Sequence, residues 1–108
     1  MVLRLYPLYL FALMFSFLQS CSQPEMVDLN GEFDGKLIYE YYCVSCHGLD
    51  GKLMASGAAD LSSSNLQFEE LKKVVLNGKK AMPAYRNVIK EEAAQNELFK
   101  YLKMLREN

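Results

Sequence analysis

The chain has 108 residues, 12 Lys and Arg against 13 Asp and Glu, and a formal charge of -1. That length holds one domain, and the near-neutral balance excludes a phosphate-binding surface of the kind nucleic-acid proteins carry. Three cysteines and a single histidine are the scarce residues with chemistry to offer.

Residues 5–18 carry no charge and follow Arg4, the short positive region and apolar core of a secretory leader. About 20 apolar residues are needed to cross a bilayer, so residues 1–20 read as a cleaved signal in preference to an uncleaved anchor. Leu18-Gln19-Ser20-Cys21 resembles a bacterial lipobox, in which the Cys is lipidated and becomes the new N-terminus. The alternative is a plain signal peptide with an unrelated Cys. Loss of the leader removes Arg4, leaving 11 basic against 13 acidic side chains. Ser22 in place of Asp after the lipid-bearing Cys leans, by analogy with lipoprotein sorting, toward an outer membrane; inner or outer stays open.

Residues 21–30, Cys-Ser-Gln-Pro-Glu-Met-Val-Asp-Leu-Asn, are polar and interrupted by Pro24. They read as a lipid-anchored flexible tether spanning at most about 30–35 Å. Residues 31–108 form the expected domain. Its first helical pattern covers residues 32–44, with Phe33, Leu37 and Tyr41 on one stripe and Ile38 and Tyr42 beside it. The second covers residues 65–77, with a capping box from Ser64, acidic Glu69 and Glu70 in its first turns, Gly78 as its stop, and an apolar stripe of Phe68, Leu71, Val74 and Val75. The third covers residues 90–106, with acidic residues at its start, basic ones at its end, and an apolar face of Ala94, Leu98, Tyr101, Leu102 and Leu105. No strand pattern is convincing, so the expected class is all-α. The two intervening loops, residues 48–63 and 78–87, are long for so small a domain, which points to a bound group that they wrap.

Cys43-Val44-Ser45-Cys46-His47 is the C-x-x-C-H pattern of covalent c-type haem attachment. Two thiols three positions apart at the end of a helix reach the two vinyl groups of one porphyrin edge, and the next residue presents an imidazole to the iron. A short exported chain buries too little surface to be comfortably stable without a staple, and a covalent haem c supplies one. The competing readings are weaker. A dithiol redox site lacks a thioredoxin-like strand and helix, a structural zinc site needs four ligands, and a disulfide between Cys43 and Cys46 closes too small a loop to stabilise much.

His47 is the sole His and hence the expected proximal ligand, which leaves the sixth ligand to a methionine. Met54 lies close to His47 along the chain, Met26 is in the tether and Met104 inside the last helix. Met82 stands in a loop well separated from His47 and precedes Pro83, so it is the expected axial ligand. A thioether favours ferrous iron relative to a second imidazole. It also fills the position a substrate would take, so a carrier is expected and an enzyme is not.

Taken together, these residues resemble the class I cytochrome c family, the small monohaem bacterial type. Gly35-Lys36-Leu37-Ile38-Tyr39 is similar to the family's first helix, Cys46-His47-Gly48-Leu49-Asp50-Gly51 to the stretch after attachment, Asn77-Gly78 and Met82-Pro83-Ala84-Tyr85 to the distal loop, and residues 98–105 to the last helix. The resemblance implies the cytochrome c fold, three main helices with long loops around one haem. It also implies that Gly35 lets the first and last helices cross closely, with Tyr39 and Tyr101 near the contact. One departure is visible: the family commonly has Pro before the Asp-Leu pair, its carbonyl bonding the proximal imidazole, where this chain has Ala58-Ala59-Asp60-Leu61. Ala58 or Ala59 would have to supply that carbonyl.

The expected function is electron transfer outside the cytoplasm, tethered through Cys21 to the periplasmic face of a bacterial membrane. The partners would be redox proteins (a respiratory complex, oxidase or reductase), with no nucleic acid and no small-molecule substrate. Lys72, Lys73, Lys79 and Lys80 flank the distal loop as a candidate cationic rim for an acidic partner, or as a plain solvated face. The alternative function is a haem-based gas sensor or weak peroxidase with a dissociable Met82.

Overall fold

Helix α1, Gly35–Tyr42, begins where the Asp34 carboxylate accepts the amides of Lys36 at 2.7 Å and Leu37 at 3.2 Å, satisfying donors that the helix itself leaves orphaned. This computed structural model describes residues 25–107; the expected leader and Cys21 lie outside them. The described residues are helical, with four helices and no strand. After α1 come a single turn, α2, at Val44–His47, a 3-10 turn at Ala55–Gly57, α3 at Phe68–Asn77 and α4 at Glu92–Glu107. This is the all-α architecture of the cytochrome c fold.

The core lies where α1 crosses α4. A Cβ on Gly35 would collide with the backbone of Glu97 and Leu98, so only glycine allows this approach. The crossing fixes the rotation of α1, and that rotation corrects the expected stripe. Gly35, Ile38 and Tyr39 are buried, while Leu37 and Tyr41 are 38% and 57% exposed. Tyr39 meets Tyr101 of α4 with ring centroids 5.3 Å apart, as the resemblance implied. Leu71 and Val75 of α3 complete the core with Ile89 and with Ala94, Leu98, Phe99 and Leu102 of α4, each large side chain worth about 1.5–3 kcal/mol of burial.

The helix boundaries also move, for local reasons. Helix α1 starts three residues later than the periodicity implies, because Phe33 pairs with Val27 in an antiparallel bridge and Asp34 becomes the cap. The same turn brings Met26 back onto the domain, packed against the core, while Leu29 at its tip is exposed. Helix α3 starts at Phe68, and its reciprocal N-terminal contact is Gln67 N–H donating to Glu70 at 3.1 Å. Ser64 and Leu66 cannot begin a helix because their carbonyls turn to accept the Arg106 guanidinium of α4, at 2.6 and 2.8 Å. Among the described residues no helix is long and apolar enough to cross a membrane.

Candidate haem-binding site

Helices α1 and α2 meet at Cys43, whose φ of -117° and ψ of -28° end α1 and let the chain turn. Its carbonyl accepts the amides of both Cys46 (3.2 Å) and His47 (2.9 Å). One short turn thereby gathers Cys43, Cys46 and His47. Cys43 and His47 are each 8% exposed, whereas Cys46 is exposed. The two thiols are not bonded to each other. Burial, and then the neighbouring Cys46, pushes the Cys43 thiol up to about 12.

The His47 ring is oriented by one specific contact. Its Nδ1 lies 3.0 Å from the Ala59 carbonyl, which can only accept, so in the neutral ring Nδ1 carries the proton and Nε2 keeps its lone pair. The carbonyl that the departure from the family pattern left open is therefore that of Ala59, with no proline involved. The loop bearing it is held at several points. Leu53 N–H donates to His47 O at 3.0 Å and Leu61 N–H to Gly51 O at 2.8 Å. Asp60 accepts the hydroxyl of Ser62 at 2.7 Å and its amide at 2.8 Å. The Ser62 hydroxyl contributes most to holding the Asp60 carboxyl below its ordinary range. The Tyr39 hydroxyl, buried under the α1–α4 crossing, donates to Gly48 O at 2.6 Å and fixes the Gly48–Leu49 peptide, one beyond His47. Burial raises the Tyr39 phenol well above its ordinary range.

The second loop leaves α3 at Gly78, whose φ is +75°. A Cβ there would lie 2.7 Å from Met82 O, so the loop passes over bare backbone. Lys79 and Met82 exchange backbone hydrogen bonds at 3.1 and 3.0 Å, with Lys80 at a left-handed φ of +55° between them. Met82 is half-buried against the core. Beyond it, Tyr85 and Arg86 donate their amides to Val75 O and Leu76 O at 3.1 and 3.2 Å, docking the loop on the end of α3. The Tyr85 hydroxyl donates to Tyr42 O at 3.0 Å, and the two rings lie 5.6 Å apart. Burial, then the nearby Cys43 and Cys46, raises the Tyr85 phenol above its ordinary range.

The remaining candidates lie elsewhere. Met54 is 56% exposed at a left-handed φ of 53°, Met26 packs on the core, and Met104 is on α4. Of the four lysines, Lys72 is committed. Its Nζ lies 4.7 Å from the Phe68 ring centroid and 3.1 Å from Glu69, so only Lys73, Lys79 and Lys80 are exposed beside the loop.

Two unbonded thiols, a tautomer-fixed imidazole and a loop thioether are a donor set that fits covalent haem c. Residues 33–102 match the family described as cytochrome C oxidase, cbb3-type, subunit III, class I monohaem c-type cytochromes. The chain belongs to this family. No curated protein matches it significantly. As a member of the family this cytochrome binds covalent haem c, takes part in electron transfer through it and has redox protein partners. Domains of this kind typically work outside the cytoplasm.

Proposed function

We propose that this cytochrome shuttles single electrons between respiratory redox proteins while anchored by a lipid on Cys21 to the periplasmic face of a bacterial membrane. Cys43 and Cys46 would attach the haem, and His47 and Met82 would be its axial ligands. When bound, the haem supplies a one-electron ferric/ferrous couple. The observation that carries the assignment is the bond from His47 Nδ1 to Ala59 O at 3.0 Å, because it leaves Nε2 as the ring's only donor to a metal and strengthens it as a ligand.

The protein's contribution is positional. Cys43 and Cys46 tie the group to the turn between α1 and α2, Ala59 holds the imidazole, and Tyr39 holds the carbonyl of Gly48 beside it. Met82 closes the site against other ligands, which favours a carrier over the sensor or peroxidase reading. Exposed Lys79 and Lys80 beside Met82 give an acidic partner an electrostatic approach to the loop, an effect on association rate that salt would weaken.

Peptide mass mapping of protein matured in a bacterial periplasm tests the assignments. Haem mass on the fragment with Cys43 and Cys46, and acyl mass on Cys21, are expected. Haem absent from that fragment would contradict the attachment site. A Cys21→Ser protein still held in the membrane fraction would contradict the anchor.

A further inference from the structure

The bond between Tyr85 and Tyr42 joins the two segments that the proposed function needs to keep in register. Tyr42 is the last residue of α1 and directly precedes Cys43, while Tyr85 stands three residues after Met82. The Tyr42 carbonyl sits at a helix end, where acceptors have no helical partner. The amide that would have reached it, that of Cys46, donates instead to Cys43 O, as does that of His47. The Tyr85 hydroxyl takes up this carbonyl at 3.0 Å, across 43 positions of sequence, and the Tyr42 ring packs on the Tyr85 ring at 5.6 Å. Between Gly78 and Tyr85 the loop makes only the Lys79–Met82 pair of backbone bonds. Tyr85 is where it regains the rest of the molecule, through its amide to Val75, its carbonyl accepting Val88 and Ile89 amides, and its hydroxyl to Tyr42.

We infer that Tyr85 is a positioning residue for Met82: its hydroxyl latches the Met82 loop to the carbonyl before Cys43 and sets how readily Met82 leaves the iron. The inference rests on the assignment of Met82 as axial ligand. Met82 release requires the short loop to swing while both of its flanks stay docked, or with the Tyr85 flank undocked as well. Loss of the latch makes the second route easier, because opening then no longer breaks the bond to the Tyr42 carbonyl, so the open form gains in population.

The test is titration of the ferric, haem-loaded protein with imidazole, which competes with Met82, read by loss of the sulfur-to-iron absorption band. Tyr85→Phe removes only the hydroxyl. It is expected to raise imidazole affinity about 3- to 10-fold, the range that one net hydrogen bond spans. Arg106→Gln removes the clamp on Ser64 and Leu66; it is expected to lower the denaturation midpoint while leaving imidazole affinity within about 2-fold, since it makes no hydrogen bond to residues 78–85. Equal imidazole affinity in Tyr85→Phe and the parent, or equal rises in Tyr85→Phe and Arg106→Gln, would overturn the latch. A band that survives in Met82→Ala would overturn the ligand assignment instead, so the two failures are distinguishable.

Discussion

On the His47 side of the site His47 is 8% exposed, its Nδ1 is engaged by Ala59 and the carbonyl of the next residue, Gly48, is held by buried Tyr39. On the Met82 side the thioether is half-buried in a loop whose tip makes only two backbone bonds with itself and is otherwise fastened three residues later, at Tyr85. The difference follows from what each side can use. The His47 side is laid directly on the α1–α4 crossing, where packing and hydrogen bonds coincide. The Met82 side hangs from the end of α3 and borrows one hydroxyl bond to reach α1. A side built this way is the one to open first under heat, denaturant or a competing ligand.

Changes common to both sides should have the largest effects. Replacing Cys43 and Cys46 together by Ala should abolish covalent haem entirely, seen as loss of haem mass in the intact protein. Gly35→Ala puts a methyl into the Glu97 backbone and forces the helices apart. It should cost stability at the upper end of about 1–3 kcal/mol, measured by denaturant unfolding, and should loosen both sides together.

The next changes separate the two sides. Gly78→Ala confronts both a backbone region open essentially to glycine alone, φ 75° and ψ 166°, and a backbone oxygen 2.7 Å away, and should cost about 1–3 kcal/mol. Imidazole binding should become easier while the His47 ring environment, followed by NMR, stays as it was. Ala59→Pro should have the smallest effect and the opposite sign. Ala58 already has the extended backbone, φ -60° and ψ 145°, that a residue before proline requires. The loop should gain about 0.4–1 kcal/mol, a small rise in the unfolding midpoint with the sulfur-to-iron band unchanged.

The helices and the C-x-x-C-H motif were legible in the sequence because each depends on neighbours along the chain, whereas the α1–α4 crossing was implied only by the family resemblance. C-x-x-C-H spacing, Gly78 after an apolar stripe and the charge bias of α4 are local signals. The face that α1 buries was not. Leu37 and Tyr41 satisfy helical periodicity as well as Ile38 and Tyr39 do, and only the contact at Gly35, across 62 positions to Glu97, decides between them. The start of α3 was misplaced for a similar reason, since the Arg106 clamp on Ser64 and Leu66 comes from the other end of the chain. Ala59 was one of two open choices for the imidazole's partner. Tyr85 was visible only as part of a family-like stretch; the orphaned Tyr42 carbonyl that gives its hydroxyl a purpose is a fact of three dimensions.

The most direct test of the account is the optical spectrum of periplasm-matured protein, oxidised and reduced, for the parent and for Met82→Ala. A c-type reduced spectrum in both, with the weak ferric sulfur-to-iron band near the red end present in the parent and absent in Met82→Ala, is the predicted result. A parent spectrum without that band, or a Met82→Ala protein that keeps it, would contradict ligation of the iron by His47 and Met82.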